Sequence, residues 1–352
     1  MFRSLWQIRK SWSGYFFVVF SLHLAGMFGL LTAARQDAAF WSVGLLAYTL
    51  GLRHAFDADH IAAIDNTVRK LVEQQRSPLG VGFYFSLGHS SVVFIMVLAI
   101  AFSMHWVQDR LPEMGEIGGV IGASVSGLFL VVIGVLNLIV LLQLLPLFRR
   151  LREGRLQEDQ LEALLNARGL FSRLLKPLYR FVSRSWHVYP LGFLFGLGFD
   201  TATEIGLLAI SATAAQGTMP IFGILSLPLL FAAGMSLMDT ADGMFMTSAY
   251  RWAFATPKRK LVYNAIVTSV SVAAALVIGI VELIQVLSEQ ADGKGPLLAW
   301  IAGIEFERVG YALVAVFVLA WLVSRIVWRR RQQPDAVAAD AQRRAASRSR
   351  ST

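Results

Sequence analysis

LRHAFDADHIAAIDNTVRK, residues Leu52 to Lys70, places two histidines (His54, His60) and three aspartates (Asp57, Asp59, Asp65) inside a hydrophobic segment that begins near Phe40. An ionisable side chain at membrane depth costs about 2.5–3.5 kcal/mol on insertion scales, so several in one span need a shared purpose. Imidazole nitrogen beside carboxylate oxygen points to a divalent metal ion. On a straight helix turning about 100° per residue, His54, Asp57 and His60 share one flank and Asp59 points elsewhere. Either Asp59 serves another partner or the helix is distorted around the motif. Transporters use such unwound segments to present ligands near the bilayer midplane.

The surrounding chain supports a membrane setting. Of 352 residues, 56% are hydrophobic, too many for an ordinary soluble domain. Runs of about 20 apolar residues cross a bilayer core of about 30 Å. The candidates lie at 15–33, 40–66, 80–103, 117–145, 188–214, 219–249, 262–287 and 308–328. The expected fold is therefore an all-α polytopic membrane protein with about eight transmembrane helices. Residues 1–328 are expected to form one transmembrane domain, with a cytoplasmic loop at 146–187, and 329–352 a disordered basic tail.

A net charge of +9 would suggest nucleic acid in a soluble protein, but the basic residues sit between the spans. Residues 1–14, 67–79, 146–187, 251–261 and 325–352 hold 27 of the 32 lysines and arginines, which places both termini in the cytoplasm. Arg3, Arg9 and Lys10 before an apolar run could mimic a signal peptide; the length of the run and His23 within it favour a retained helix. The leucine and charge periodicity of the 146–187 loop suggests amphipathic helices on the inner membrane surface. There is no cysteine, so disulfides and thiolate ligands are excluded and a metal site must draw on nitrogen, oxygen or thioether sulfur.

Other spans repeat the polar signal. The third carries FSLGHSSVVF with His89, the fifth LGFDTATEIG with Asp200 and Glu204, and the sixth GMSLMDTADG with Asp239 and Asp242. Four spans thus offer His, Asp or Glu to one polar centre, whose candidate ligands are His54, Asp57, Asp59, His60, His89, Asp200, Glu204, Asp239 and Asp242. Phe56 to Ile61 (FDADHI) also echoes Phe199 to Ile205 (FDTATEI) with one insertion, in spans that cross in opposite directions. An inverted repeat follows as an expectation. Met235, Met238, Met244 and Met246 read as packing, because hard carboxylates nearby argue against a soft site. Glu282, near an outer end, is expected to reach water.

At these residues the chain resembles the nickel/cobalt transporter family of secondary metal permeases. That family is marked by an RHA-[VF]-DADHI element, matched by Arg53 to Ile61, and a GHS-[ST]-VV element, matched by Gly88 to Val93. Its LGxDTATE and GMxxxDTxDG elements are matched by Leu197 to Glu204 and Gly234 to Gly243. The resemblance implies an eight-span permease in the cell membrane that takes up Ni²⁺ or Co²⁺, with the second-span histidines and aspartates central. A divalent ion entering down about 100 mV gains about 4.6 kcal/mol. Neutral imidazoles bind the metal, so affinity is expected to fall as pH drops through about 6.5.

Other classes fit less well. His54 to Asp59 matches the short HX4D pattern of membrane acyltransferases, without their downstream phosphate-binding block. No H-E-x-x-H zinc motif or phosphate loop is present, and six scattered histidines are too few for a di-iron desaturase. No enzymatic activity, cofactor, nucleic acid or ATPase subunit is expected; the partners are the transported ion and the lipid bilayer. Metal efflux by a related permease is the nearer rival, but the 146–187 loop lacks the histidine-rich segment common in exporters.

Overall fold

A computed structural model describes residues 2–102, 104–153, 182–198, 202–216, 219–253, 257–290, 295–302, 304 and 308–327. Among them the regular structure is entirely helical. In hydrocarbon the backbone must satisfy its own polar groups, and a helix does so within one segment. The helices are α1 (Phe2–Ala34), α2 (Phe40–His54), α3 (Ala58–Glu73), α4 (Val81–Phe102) and α5 (Met104–Arg152). After a turn of 3-10 helix (Ser185–His187) come α6 (Val188–Phe195), α7 (Ala202–Gln216), α8 (Ile221–Ala253), α9 (Pro257–Gln290) and α10 (Pro296–Ala302). A last helix, α11, spans Arg308–Val327.

Six stretches are long and apolar enough to cross a membrane: Trp12–Ala34, Val81–Phe102, Ile117–Gln143, Ile221–Ala253, Ala265–Ser288 and Arg308–Val327. The chain is a multi-pass membrane protein. Large apolar side chains such as Phe17, Phe28, Phe222 and Leu319 face outward, as lipid contact demands. The other two expected spans, 40–66 and 188–214, are where the helices are interrupted. Each is split into two short helices, α2 with α3 and α6 with α7. None of the four reaches the roughly 20 residues a continuous crossing needs.

The first interruption is built by the opening motif. α2 ends at His54, and Asp57 leaves helical geometry at φ −63°, ψ 142°. Its carboxylate accepts a hydrogen bond from the Ala58 amide at 2.7 Å, and its carbonyl accepts from the Ile61 amide at 3.1 Å. This is an N-cap inside the bilayer, satisfying donors that water cannot reach. α11 lies across the break: Phe56 stacks on Tyr311 at 4.9 Å, and a β-carbon at Gly310 would overlap the Phe56 carbonyl oxygen. Asp57→Ala is expected to lower stability by about 1 kcal/mol through the lost cap, read as an earlier melt of the detergent-solubilised protein.

Beyond the break, α3 is buried from Ile61 to Leu71, polar residues included. Asp65 accepts hydrogen bonds from Tyr250 (2.6 Å) and Ser271, and Arg69 donates to Thr268 (2.7 Å) and to Asn66 (3.3 Å). Asn137 also donates to Asn66. These contacts tie α3 to α5, α8 and α9, inside an apolar cluster that includes Ile64, Val68, Phe85, Leu130, Tyr250 and Leu313. A second cluster joins α1, α2, α7 and α8 through Leu30, Ala47, Leu207, Phe231 and Met235, so Met235 packs as its sequence context suggests.

One expectation is corrected. Glu282 does not reach water; it is buried between α9 and α5, where its carboxylate accepts from the Ser126 hydroxyl at 2.8 Å. α5 also continues past residue 146 into the segment read as a loop. The remainder of that segment, 154–181, and the tail from 328 lie outside the described residues.

Candidate metal centre

The two interruptions bring their broken ends to one place. His54 closes α2, His60 lies in the first turn of α3, and His89 sits midway along α4. Their ring centroids are 4.7 Å (His54–His60), 4.7 Å (His54–His89) and 4.9 Å (His60–His89) apart. One ring nitrogen from each lies within 4.8 Å of the others, and all three side chains are buried. Metal–imidazole bonds are about 2.0–2.1 Å long, so a small inward movement suffices to close the triad on one ion.

The hydrogen bonding identifies what is missing a partner. His89 Nε2 lies 2.9 Å from His54 Nε2 and 2.7 Å from Glu204 Oε1. A single proton cannot serve both contacts. If it sits on His89 it satisfies Glu204 but leaves no lone pair for His54; if it sits on His54, the Glu204 carboxylate faces a lone pair. A cation between the nitrogens removes the conflict. His60 adds two ring nitrogens without a hydrogen-bond partner, and its Nδ1 lies 3.4 Å from Asp239 Oδ2 without hydrogen-bonding geometry. Both Asp239 oxygens are buried and lack hydrogen bonds. Such groups are costly unless an ion arrives to use them.

Thr203 is the residue that sequence reasoning left out. Its hydroxyl lies 3.0 Å from His54 Nδ1, fixing the ring so that Nε2 faces the other histidines. It belongs to the LGFDTATEIG stretch, of which only the carboxylates Asp200 and Glu204 count among the candidate ligands. Such outer partners typically carry about 10–100-fold of metal affinity. Thr203→Val, equal in shape, is expected to weaken Ni²⁺ binding by about that factor while leaving the fold intact, as isothermal titration of the purified protein would show.

A family model described as a high-affinity nickel-transport protein matches residues 40–327. The chain belongs to that family. It is 55% identical over 321 residues to the nickel transporter NixA of Staphylococcus aureus, an alignment covering 91% of this chain and 95% of that protein. The nickel transporter NicT of Mycobacterium tuberculosis is 49% identical over 324 residues, covering 89% and 87% of the two chains. The cobalt transport protein NhlF of Rhodococcus rhodochrous is 43% identical over 311 residues, covering 85% and 87%. No solved structure matches the chain.

Within this nickel-transport family member, the remaining candidate residues fall around the triad. Glu204 and Asp239 lie against His89 and His60. Asp57 is buried at the break and engaged as the cap, while Asp59, in the first turn of α3, accepts from the His60 amide at 2.7 Å. Asp242 lies one turn beyond Asp239, with a buried Oδ2 that lacks a hydrogen bond. Asp200 lies outside the described residues. Among the described residues the mutual 4.8 Å cluster is histidine alone, so the carboxylates form a surround of negative charge. His23 is occupied elsewhere, near the Val19 carbonyl (2.8 Å) and the Tyr48 hydroxyl (3.3 Å).

Proposed function

We propose that this chain is a permease for high-affinity uptake of Ni²⁺ or Co²⁺, and that His54, His60 and His89 hold the ion in transit. The observation that carries this reading is the convergence of three buried imidazoles whose nitrogens one proton cannot satisfy, ringed by Glu204 and Asp239. Nitrogen ligands favour Ni²⁺ and Co²⁺ over Mg²⁺ and Ca²⁺. Buried carboxylates offset the ion's charge, with Asp57, Asp59, Asp200 and Asp242 completing the set as it moves.

The chain crosses the cell membrane eight times in this reading, counting the α2/α3 and α6/α7 segments as one interrupted crossing each. Both termini face the cytoplasm, in line with the basic connections. The inside-negative potential then drives divalent ions inward, and the ion is the substrate.

The test is accumulation of radiolabelled Ni²⁺ and Co²⁺ in cells and in proteoliposomes with an imposed inside-negative potential. Internal metal rises with the intact chain under the uptake reading. A fall in internal metal on expression would reverse the assigned direction.

A further inference from the structure

The same helix contact is made twice. In one seam Tyr48-Thr49-Leu50-Gly51 of α2 packs on Phe231-Ala232-Ala233-Gly234 of α8. A β-carbon at Gly51 would overlap the Phe231 carbonyl oxygen, and one at Gly234 would lie 2.7 Å from the Tyr48 carbonyl oxygen and 3.0 Å from the Leu52 amide. In the other seam Tyr189-Pro190-Leu191-Gly192 of α6 packs on Phe85-Ser86-Leu87-Gly88 of α4. A β-carbon at Gly192 would overlap the Phe85 carbonyl oxygen, and one at Gly88 the Tyr189 carbonyl oxygen. Tyr-x-Leu-Gly meets Phe-x-x-Gly in both, with the same residues touching.

A third contact marks the axis between them. Where α5 crosses α9, a β-carbon at Gly127 would lie 2.9 Å from the Gly279 carbonyl oxygen, and one at Gly279 2.7 Å from that of Gly127. A two-fold that exchanges these glycines also exchanges α4 with α8 and α2 with α6. If α1, α2/α3, α4 and α5 each cross once, α2 and α6 start on opposite faces of the membrane. The halves are therefore inverted. Each seam ends at an interruption, at 55–57 after α2 or from 196 onward after α6, and the histidine triad lies between them: His54 three residues past Gly51, His89 next to Gly88.

We propose that these two seams are the alternating gates of the permease: the α2–α8 seam closes the triad from outside and the α6–α4 seam closes it from the cytoplasm. The half-helices α2 and α6 swing about the two interruptions, one at a time, while α4 and α8 stay together at the axis. Both seams are shut here, with His54, His60 and His89 buried. The inference rests on the permease reading above and on its cytoplasmic termini. Glycine at these positions allows carbonyl contact without side-chain interlock, so a seam can part without rotamer changes.

The test uses the absence of native cysteine. Thr203→Cys sets a reporter thiol beside His54, and a charged, membrane-impermeant thiosulfonate is applied to right-side-out or inside-out vesicles. Gly51→Leu or Gly234→Leu is expected to speed labelling from outside by about tenfold or more, and Gly192→Leu or Gly88→Leu from the cytoplasmic side, by wedging one state open. All four are expected to stop transport. A staple supplies an independent measurement: the Ser185 hydroxyl already donates to the Ser77 carbonyl at 3.0 Å, joining the start of α6 to the connection before α4. Oxidised Ser77→Cys/Ser185→Cys, with Thr203 intact, is expected to lose uptake and to regain it on reduction; with Thr203→Cys added, the oxidised chain is expected to keep the reporter reachable from outside. Wedges in both seams that open the same face, or a staple that leaves transport unchanged, would overturn the gating proposal while the intact chain still transports. If the intact chain moves no metal, it is the permease reading that fails. Should the wedges not reach the membrane, the staple decides.

Discussion

His54→Ala is expected to bring Ni²⁺ accumulation down to the level of cells lacking the chain, with the protein still present in the membrane. His54 is the hinge residue of the triad: its Nε2 meets His89, its Nδ1 meets Thr203, and its ring stands 4.7 Å from that of His60. Removing it deletes one ligand and frees the orientation of another, so the loss exceeds the roughly 10–100-fold typical of an outer partner. Stability changes little by comparison, because the crowded nitrogens around His89 are left with fewer conflicting contacts. Uptake of labelled Ni²⁺ at subsaturating metal, normalised to immunodetected protein, checks the expectation. Transport at the rate of the intact chain would remove His54 from the site.

Asp65→Leu is expected to have the largest effect on stability. Asp65 belongs to the same motif as His54 but is engaged by other helices, accepting from Tyr250 and Ser271 within electrostatic range of the buried Arg69. Leucine leaves the buried Tyr250 and Ser271 hydroxyls without their Asp65 acceptor. Each buried polar group left unsatisfied costs about 1–3 kcal/mol. Asp65→Asn keeps one acceptor and is expected to fall between. Thermal melting of the detergent-solubilised protein, followed by the fraction that stays monodisperse, ranks the three. Equal melting of Asp65→Leu and the intact chain would show that the Asp65–Arg69 network does not hold α3 in place.

The membrane fold was legible because hydrocarbon imposes it: long apolar runs and basic connections have few other readings. The interruption in the second span was also legible. Five ionisable groups over a short stretch do not share one helical face, and the structure resolves that conflict by ending α2 at His54 and restarting at Ala58. Less visible was the division of labour among the aspartates. His54, Asp57 and His60 share a flank only on a straight helix; once the helix breaks, Asp57 becomes a cap and Asp65 a structural anchor. His89 and Glu204 were found from their own motifs, but their 2.7 Å contact spans 115 residues of sequence. No local pattern encodes such a distance. Thr203 shares a motif with Asp200 and Glu204 but is not among the candidate ligands, because a hydroxyl carries no solvation cost comparable to a carboxylate's. Glu282 was misread because proximity to a span end says nothing about which neighbour covers it, here Ser126 on α5.

The glycine seams illustrate a related limit. Tyr-x-Leu-Gly and Phe-x-x-Gly are too short to stand out in an apolar sequence, and the echo between FDADHI and FDTATEI gave only the interrupted segments. Carbonyl contacts at Gly51, Gly88, Gly192 and Gly234 make the relation visible, because they show which helix each glycine meets.

The most direct measurement is X-ray absorption at the nickel edge on the purified protein loaded with one equivalent of Ni²⁺. Outer-shell scattering from three imidazoles is expected in the intact chain, falling to two in His54→Ala under metal excess. An oxygen-only shell without imidazole scattering, or an imidazole signal unchanged by the substitution, would contradict a histidine triad as the place where the ion is held.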